Sequence, residues 1–353
     1  MPKLRYLTKT RYKLGLDCPT KLFYTGKPEY PDQCDEDAFL AALAEGGFQV
    51  GELARQYYKG GITIDTLDYD EALAMTKDLM KRDKVIMYEP AFRYDNLFIR
   101  IDILVKDGNN LRLIEVKSKS YDSNEDNSFL KKNGEISSGW EPYLHDVAFQ
   151  KYVLQKACPG YTVHSYLMMA DKNAPCPTDG LNQKFRITKD STNRKGVVVS
   201  STLNDEDLGR RILIEVPVDD YVYIIHQGTY DAGGSEVSFA GLIDYLSTHY
   251  EKDKKIQPEI KARCGGCEFR CSADQEASGL KCGFKECWKE VLKWTDSDFD
   301  EPSVLELWRS RKKDAYISSG KIKLKDLEQH DVDPVPGSTM GLSASERQWL
   351  QVE

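Results

Sequence analysis

The sequence contains no long hydrophobic run: no stretch approaches the roughly 18–20 apolar residues that a helix needs to cross a bilayer. The N-terminal segment, MPKLRYLTKTRYKLGLDCPT, is basic and lacks the continuous apolar region of a secretory signal peptide. These two absences predict a cytoplasmic protein without membrane association, in which thiols stay reduced. At 353 residues, with 40% hydrophobic and 30% charged residues, the chain can form one large domain or two smaller ones.

An excess of positive charge is also lacking. The net charge of −8 argues against a broad, unspecific surface for coating nucleic acid. The basic residues are nevertheless concentrated in residues 1–27, where tyrosines lie between them, and the next ten residues are acidic. Such an arm can follow a phosphate backbone and stack on bases, with Arg11 as a candidate contact. A solvated helix face explains the same composition equally well.

Cysteine is unevenly distributed. Five of the nine cysteines lie between Cys264 and Cys287, and Cys264-Gly-Gly-Cys267 is a pattern typical of a two-ligand knuckle around a metal. In a reducing compartment this clustering indicates a metal centre rather than disulfides. Four thiolates can hold zinc or a [4Fe–4S] cluster, and the spacing alone does not separate the two.

Hydrophobic periodicity predicts the secondary structure. We expect helices at 37–59 and at 70–83, the latter with Asp70 as N-cap, and strands at 85–94, 97–106 and 111–119 with a hairpin turn at 107–110. A polar, mobile loop is expected at 121–141, then a helix at 144–156, a strand at 162–170, a hairpin around 184–202, a strand at 211–218 and a helix at 238–252. This order is typical of an α/β unit around a mixed sheet.

Four segments follow from these patterns. We expect a basic N-terminal arm with a metal-cluster cysteine at 1–36, a core at 37–260 with an irregular insertion at about 172–210, a cysteine-rich metal segment at 261–293, and a charged tail or linker at 294–353. The tail is thin in apolar residues.

The most informative polar residues are Asp102 in RIDILV and the pair Glu115 and Lys117 in LIEVKSK. Side chains two apart on a strand share a face, and the turn between the strands brings Asp102 alongside. Neighbouring carboxylates repel each other unless a cation joins them, and hard oxygen ligands favour Mg²⁺ or Mn²⁺. Such a metal activates water, and Lys117 can stabilise charge on a phosphate. The alternative is a solvated strand face with a cross-strand ion pair.

This arrangement resembles the core of the PD-(D/E)XK nuclease superfamily, with Asp102 on one strand and Glu115-Val116-Lys117 on the next. The helix HDVAFQKYVLQ, with Gln150, resembles the glutamine-containing helix of the RecB-like branch. The resemblance implies a restriction-endonuclease-like fold, a mixed central β-sheet flanked by helices, with the cysteine cluster folding back on the N-terminus. It also implies a metal site formed by Asp102, Glu115 and the Val116 carbonyl, with Lys117 and Gln150 as further catalytic residues.

The resemblance departs from the family at two places. Leu154 stands where a tyrosine is usual, with Tyr152 nearby, and the upstream helix has no histidine ligand. Glu52 is the first candidate to replace that ligand, Glu45 the second and Glu89 the third. The residues expected to contact nucleic acid are Gln150, Tyr152, Lys119 and Arg11.

RecB-like exonucleases of CRISPR adaptation and AddB-type nuclease domains have one N-terminal cysteine and three after the core, which together hold a [4Fe–4S] cluster. The resemblance implies the ligand set Cys18, Cys264, Cys267 and Cys287, with Cys271 and Cys282 in reserve. Cys34, Cys158 and Cys176 are expected to be ordinary buried thiols. The chain also resembles an uncharacterised bacterial family in which a RecB-like nuclease precedes an exonuclease-like domain, which implies a missing C-terminal domain or a protein partner.

The leading hypothesis is a Mg²⁺- or Mn²⁺-dependent nuclease, by analogy an exonuclease, that acts on DNA that is single-stranded or has free ends, with a structural iron–sulfur cluster. A second hypothesis is a binding module on the same fold that has lost turnover. A third is a zinc-ribbon-like regulator in which the Glu115–Lys117 pattern is incidental.

Overall fold

The computed structural model describes residues 4–36, 38–125, 129–189, 195–337 and 341–353. The chain forms two compact units, and each is made of two separate stretches. The first unit contains Met1–Leu16 and Asp37–Lys254, and the second contains Asp17–Glu36 and Lys255–Glu353. Among the described residues, no helix is both long enough and apolar enough to span a bilayer.

All the named strands belong to the first unit. They are β1 (Leu7–Thr8), β2 (Ile62–Thr63), β3 (Lys84–Tyr88), β4 (Ala91–Tyr94), β5 (Leu97–Arg100), β6 (Ile103–Asp107), β7 (Asn110–Tyr121), β8 (Thr162–Asp171), β9 (Phe185–Lys189), β10 (Lys195–Val199), β11 (Leu213–Pro217), β12 (Thr229–Asp231) and β13 (Glu236–Ser238).

The helices are divided between the two units. They are α1 (Lys9–Asp17), α2 (Lys21–Tyr24), α3 (Ala38–Gln56), α4 (Tyr69–Leu79), α5 (Glu141–Ala157), α6 (Asp205–Gly209), α7 (Asp219–Gln227), α8 (Phe239–Glu251), α9 (Ala273–Ala277), α10 (Gly283–Leu292), α11 (Lys313–Ser318), α12 (Gln329–Val332) and α13 (Ala344–Val352). Short 3-10 helices lie at Gln33–Glu36, Leu181–Lys184, Ala262–Gly266, Asp296–Asp300, Val304–Glu306 and Leu324–Asp326.

The centre of the first unit is a six-stranded mixed sheet in the order β11-β8-β7-β6-β3-β2. Strands β6 and β7 are antiparallel, and Asp107 pairs with Asn110 at their turn, as the sequence predicted. Strands β7 and β8 are parallel, which requires a crossover connection, and α5 supplies it. The β7–β8 register is interrupted directly after Lys117. The unit is therefore mixed α/β, in agreement with the sequence prediction.

Helices cover both faces of this sheet. On one face, Leu53 and Ala54 of α3 share a buried core with Ile103, Ile114 and Met168 of the sheet. Because side chains alternate along a strand, Glu115 points to the opposite face from Ile114. Helix α5 lies against that second face. The predicted polar group is thus enclosed between the sheet and α5.

The strands upstream of the turn differ from the prediction, because each of the two long strands is divided. Glu89 adopts a left-handed backbone conformation with φ of 56° and precedes Pro90, so β3 ends there. Asp102 lies in the second break, between β5 and β6. Its carbonyl accepts a hydrogen bond of 3.3 Å from the Glu89 N–H, which holds the two bends together. Asp102 therefore stands at the end of a strand rather than within one.

The predicted N-cap Asp70 is wrong. The N-cap of α4 is Asp68, whose carboxylate accepts a hydrogen bond of 2.9 Å from the Glu71 N–H, and Asp70 lies in the first turn. Both carboxylates are placed favourably for the helix dipole, so composition alone does not distinguish them. The hairpin around 184–202 is confirmed by the antiparallel pairing of β9 and β10.

The predicted segment boundaries also differ from the units. The first part of the N-terminal arm belongs to the first unit because Tyr12 is fully buried there and stacks on Phe149, with ring centroids 4.6 Å apart. Residues 17–36 belong to the second unit, together with the cysteine-rich segment and the tail. The tail contributes a buried cluster of its own, formed by Val304, Leu307, Tyr316, Leu324 and Leu327. It is therefore a packed part of that unit.

Candidate active site and cysteine cavity

Glu115 is the centre of a buried polar network in the first unit. It lies in β7, its side chain is fully buried, and the register of β6 and β7 places Asp102 beside it. The Val116 N–H donates a hydrogen bond of 2.7 Å to Asp102 Oδ2, which fixes this carboxylate against β7. The structure thus places the two predicted carboxylates together. The Val116 backbone, predicted as a ligand through its carbonyl, is part of the same group.

Lys117 and α5 complete the network around Glu115. Lys117 Nζ donates to Glu115 Oε1 at 2.6 Å and to Asp146 Oδ2 at 2.8 Å. Gln150 Nε2 donates to Glu115 Oε2 at 2.7 Å. Asp146 and Gln150 lie one helical turn apart on α5, so both reach the sheet from the same face. Asp146 was not assigned a role from the sequence, although its spacing from Gln150 was a signal that placed it on the same face.

Two further lysines reach this network from α1. Lys9 Nζ lies 2.5 Å from Glu115 Oε1, and Lys13 Nζ lies 3.3 Å from Asp146 Oδ2. These two lysines are four residues apart, so they lie on one face of the helix. The sequence indicated only a basic arm there. Three lysine ammonium groups therefore face three carboxylates, those of Asp102, Glu115 and Asp146, at this site.

The two central carboxylates differ in acidity. Burial, followed by the charge of Glu115, raises the pKa of Asp102 to about 7. Burial also acts to raise the pKa of Glu115, but the ammonium groups of Lys117 and Lys9 outweigh it and hold that pKa well below its usual range. For Lys117, burial lowers the pKa, whereas Glu115 and Asp146 raise it to a net value above the ordinary one. Near neutral pH the carboxyl group of Asp102 is therefore about half protonated, whereas that of Glu115 is ionised.

Two oxygen atoms of the network have no hydrogen-bond partner among the described residues. They are Asp146 Oδ1 and Gln150 Oε1, and both are buried. A buried acceptor without a partner is costly, so these atoms fit a site that takes up water or a cation. In the part of the chain that the structure describes, however, no three His, Cys, Asp or Glu side chains are arranged to hold a metal ion. At Glu115 the positions beside the carboxylate are taken by lysine ammonium groups.

The sequence ranked Glu52, Glu45 and Glu89 in that order as further metal ligands, and their positions in the structure do not follow this ranking. Glu52 accepts a hydrogen bond of 2.8 Å from Gln56 and lies 3.7 Å from Arg55, beside a polar cavity bordered by Tyr88. Glu89 lies 3.2 Å from Arg55, and its charge raises the pKa of Asp102.

Glu45, the remaining acid, pairs with Lys195 at 3.0 Å. Of the three acids, Glu89 is the one with a direct backbone contact to Asp102. The left-handed bend that positions it is not visible in the sequence.

The residues predicted to contact nucleic acid are spread over the first unit. Gln150 is fully buried and donates a hydrogen bond to Glu115, so it is not available to nucleic acid in this structure. The Lys119 ammonium lies over the ring of Trp140, 4.5 Å from its centroid, and the Tyr152 ring packs edge-on to Phe239.

Arg11, the remaining candidate, donates to the Tyr6 carbonyl at 2.8 Å. Of these four residues, only Lys119 lies on β7, the strand that carries Glu115 and Lys117.

The second unit brings four cysteines to one small cavity. Cys18, Cys264, Cys267 and Cys287 line it, and these are the four that the resemblance implied. Burial raises the pKa of Cys267 to about 12 and that of Cys287 to about 11, and it also raises the pKa of Cys264. Thiols with such pKa values stay protonated at neutral pH until a metal displaces the proton.

Two donors border the cysteine cavity. The Tyr24 hydroxyl lies 3.2 Å from Cys287 Sγ. The buried Trp288 Nε1 has no hydrogen-bond partner among the described residues. Its proximity to Cys264 partly offsets the effect of burial, which raises the pKa of that thiol. Iron–sulfur clusters accept hydrogen bonds at their sulfur atoms, so an N–H of this kind fits that group. The donor chemistry of four cysteines also fits zinc.

The reserve candidates Cys271 and Cys282 lie apart from these four and contact each other. The Cys271 N–H donates to Cys282 Sγ at 3.3 Å, and after burial the Cys282 thiol is the next cause of the raised pKa of Cys271, about 12. Cys34 and Cys176 were expected to be buried, but both are exposed, and Cys158 is partly exposed. Their neighbourhoods in the sequence are polar, which was the signal that favoured exposure.

Comparisons of this chain with protein-family models, with curated proteins and with solved structures find no match.

Proposed function

We propose that this chain is a metal-dependent nuclease that hydrolyses phosphodiester bonds of DNA, built on a core of the PD-(D/E)XK type and the RecB-like branch. The observation that carries the proposal is the convergence of Asp102, Glu115, Lys117 and Gln150 on one buried site, although three separate elements supply them. A purely structural ion pair does not require two adjacent carboxylates at the end of a buried strand.

Asp102, Glu115 and the Val116 carbonyl would hold Mg²⁺ or Mn²⁺, with Glu89 as a further acid beside Asp102. When bound, the metal supplies an activated water and neutralises charge on the phosphate. Lys117 holds Glu115 and Asp146 in place and presents its ammonium to the attacking water or to the phosphate. Gln150 fixes the orientation of the Glu115 carboxylate.

In the second unit, Cys18, Cys264, Cys267 and Cys287 would hold a [4Fe–4S] cluster, with zinc as the alternative occupant. The role we assign to this group is structural, because its four ligands come from two stretches of chain that together make up one unit. The resemblance to RecB-like exonucleases implies an exonuclease mode on DNA with single strands or free ends, and the resemblance to the bacterial family implies a protein partner.

A binding module without turnover is the second candidate. The observation that favours it is the position of Lys9, whose ammonium lies against the carboxylate that would bind the metal. A site neutralised by lysines can bind nucleic acid without cleaving it. Binding of DNA without metal-dependent products would distinguish this candidate from the nuclease.

The test is a cleavage assay with the full chain, purified without oxygen, on end-labelled single-stranded and double-stranded linear DNA and on closed circles. Mg²⁺, Mn²⁺ and EDTA are compared, and Asp102→Ala and Lys117→Ala are assayed beside Lys81→Ala. Lys81 is a matched control because its side chain is 72% exposed and pairs only locally, with Asp78. We expect products that need metal, disappear in the two site variants and persist in the control. Cleavage by Asp102→Ala at the wild-type rate would refute the assignment.

A further inference from the structure

Lys9 has an unusual position for a residue of a basic arm. Its Nζ lies 2.5 Å from Glu115 Oε1, and Lys117 Nζ lies 2.6 Å from the same oxygen. Glu115 is fully buried, so a single buried carboxylate oxygen accepts from two ammonium groups. One lysine is enough to neutralise one carboxylate. Lys117 is shared with Asp146, and Asp102 lies beside Glu115, so the second ammonium lies against a group of carboxylates rather than against Glu115 alone.

The exposure of these side chains divides the site into two layers. Two of the carboxylates are inside, since Glu115 is 0% exposed and Asp146 is 1% exposed, whereas Asp102 is half-buried. The lysines form the outer layer, because the exposed fractions are 24% for Lys9, 40% for Lys13 and 19% for Lys117. A phosphate group that approaches from solvent meets these ammonium groups before it meets Glu115 or Asp146. A divalent cation that approaches the same carboxylates meets a like charge first.

We propose that Lys9 is a second catalytic lysine, which neutralises the carboxylate pocket until a divalent cation displaces it and which then contacts the phosphate of the bound nucleic acid. This inference rests on the proposed nuclease function. Like charges a few ångströms apart repel each other, so a divalent cation against Glu115 disfavours the Lys9 ammonium at the same oxygen.

The side chain of Lys9 allows this exchange. A lysine ammonium is a compact charge on a flexible four-carbon stem, so it can leave Glu115 without movement of the helix that carries it. Lys9 is the first residue of α1, and its side chain is part-exposed rather than packed on all sides. Lys117 contacts Asp146 as well as Glu115, so it stays in place when Lys9 moves. The two lysines therefore have different tasks.

The test measures binding of Mn²⁺ by calorimetry and cleavage at saturating Mn²⁺ as two separate readouts. The variants are Lys9→Met, which keeps the apolar stem and removes the charge, and Lys9→Arg, which keeps the charge. Lys81→Met is the control with the same charge change at a site remote from the carboxylates. Circular dichroism checks that each variant is folded, and Lys9→Gln replaces Lys9→Met if the latter fails to fold.

We expect Lys9→Met to bind Mn²⁺ at least about tenfold more tightly than the wild type, because the competing charge is gone. At saturating Mn²⁺ its cleavage should fall by about 10²-fold, as is typical when a donor to the reacting phosphate is lost. Lys9→Arg should retain more cleavage than Lys9→Met, and Lys81→Met should change neither quantity.

Unchanged or weaker Mn²⁺ binding by Lys9→Met would refute the proposal that the cation displaces Lys9 from the carboxylates. Cleavage by the same variant at the wild-type rate would refute the proposal that Lys9 contacts the phosphate. If the wild type binds Mn²⁺ but cleaves no DNA, the proposed function fails while the competition between Lys9 and Mn²⁺ is still decided by the calorimetry. If neither the wild type nor Lys9→Met binds Mn²⁺, the inference about Lys9 is refuted.

Discussion

The side-chain amide of Gln150 donates a hydrogen bond of 2.7 Å to Oε2 of Glu115, and both side chains are fully buried. We expect Gln150→Leu to leave this oxygen without a donor, so the carboxylate loses its fixed orientation and cleavage falls by about 10–100-fold. The free energy of unfolding should fall by about 1–3 kcal/mol. Cleavage assays and urea unfolding measure the two effects.

Gln49→Leu is the control for this variant, because Gln49 donates to a backbone carbonyl, that of Phe185, at 2.6 Å and does not contact Glu115. It should lose stability without a specific loss of cleavage. Equal losses of cleavage in the two variants would contradict the role of Gln150.

Asp102 carries a raised pKa of about 7 because of its burial and the charge of Glu115. Since an unfolded aspartate has a pKa of about 3.9, the folded state binds the proton more tightly, and metal-free stability falls as pH rises from about 4 to 7. Asp102→Asn removes this cost and keeps an oxygen for the Val116 N–H. In EDTA at pH 8 we expect this variant to be more stable than the wild type by up to about 4 kcal/mol.

Urea unfolding in EDTA at pH 8 and at pH 4 measures this difference, which should almost vanish at the lower pH because Asp102 is then protonated in the folded state and about half protonated in the unfolded state. A variant that is less stable than the wild type at pH 8 would show that the Asp102 charge is stabilised in the fold.

We expect the protein to lose stability in acid because His145 is buried and has a lowered pKa. Burial, followed by the charge of His226, lowers its pKa to about 4, and its Nδ1 shares a hydrogen bond of 2.9 Å with the Tyr12 hydroxyl. An unfolded histidine has a pKa of about 6.5, so the unfolded state takes up a proton first as pH falls. The contribution is constant above about pH 6.5 and is lost progressively towards pH 4, to a limit of about 3 kcal/mol.

Thermal unfolding between pH 4 and 7 measures this loss. His145→Gln should flatten the dependence over that range. Identical pH profiles for the wild type and His145→Gln would exclude His145 as the cause.

The four cysteines at the cavity should control metal content. Replacing Cys18, Cys264, Cys267 or Cys287 by serine removes one ligand, so we expect each of these variants to lose most of its iron and its visible absorbance. Cys271→Ser and Cys282→Ser are the matched controls from the same segment, and they should keep both. Elemental analysis after purification without oxygen measures iron and zinc. Stoichiometric zinc without iron in the wild type would favour the zinc alternative.

The sequence placed Asp102, Glu115 and Lys117 correctly relative to one another because their proximity follows from local rules, alternation along strands and a short turn between them. It did not predict the break at Glu89, since a left-handed bend before proline has no unique residue pattern. The α/β order of elements was also visible, because long periodic segments determine it.

The contact between Lys9 and Glu115 had no such local rule. The two residues are 106 positions apart, and only the packing of α1 brings them together. The sequence indicated a basic arm that includes Lys9 and Lys13, but not what these lysines contact. Grouping of Cys18 with three distant cysteines was likewise implied by resemblance and not by spacing. Contacts between polar residues that are far apart in the sequence are therefore what could not be predicted from the sequence.

The division of each unit into two stretches of chain has a consequence for synthesis. Cys18 leaves the ribosome long before Cys264, Cys267 and Cys287 are made, and at about 5–20 residues per second the interval is tens of seconds. During this time the first unit becomes complete at residue 254, whereas Asp17–Glu36 still lacks the rest of its unit. On a nascent chain the carboxylate site can therefore form first, and the cysteine cavity is among the last features to be assembled.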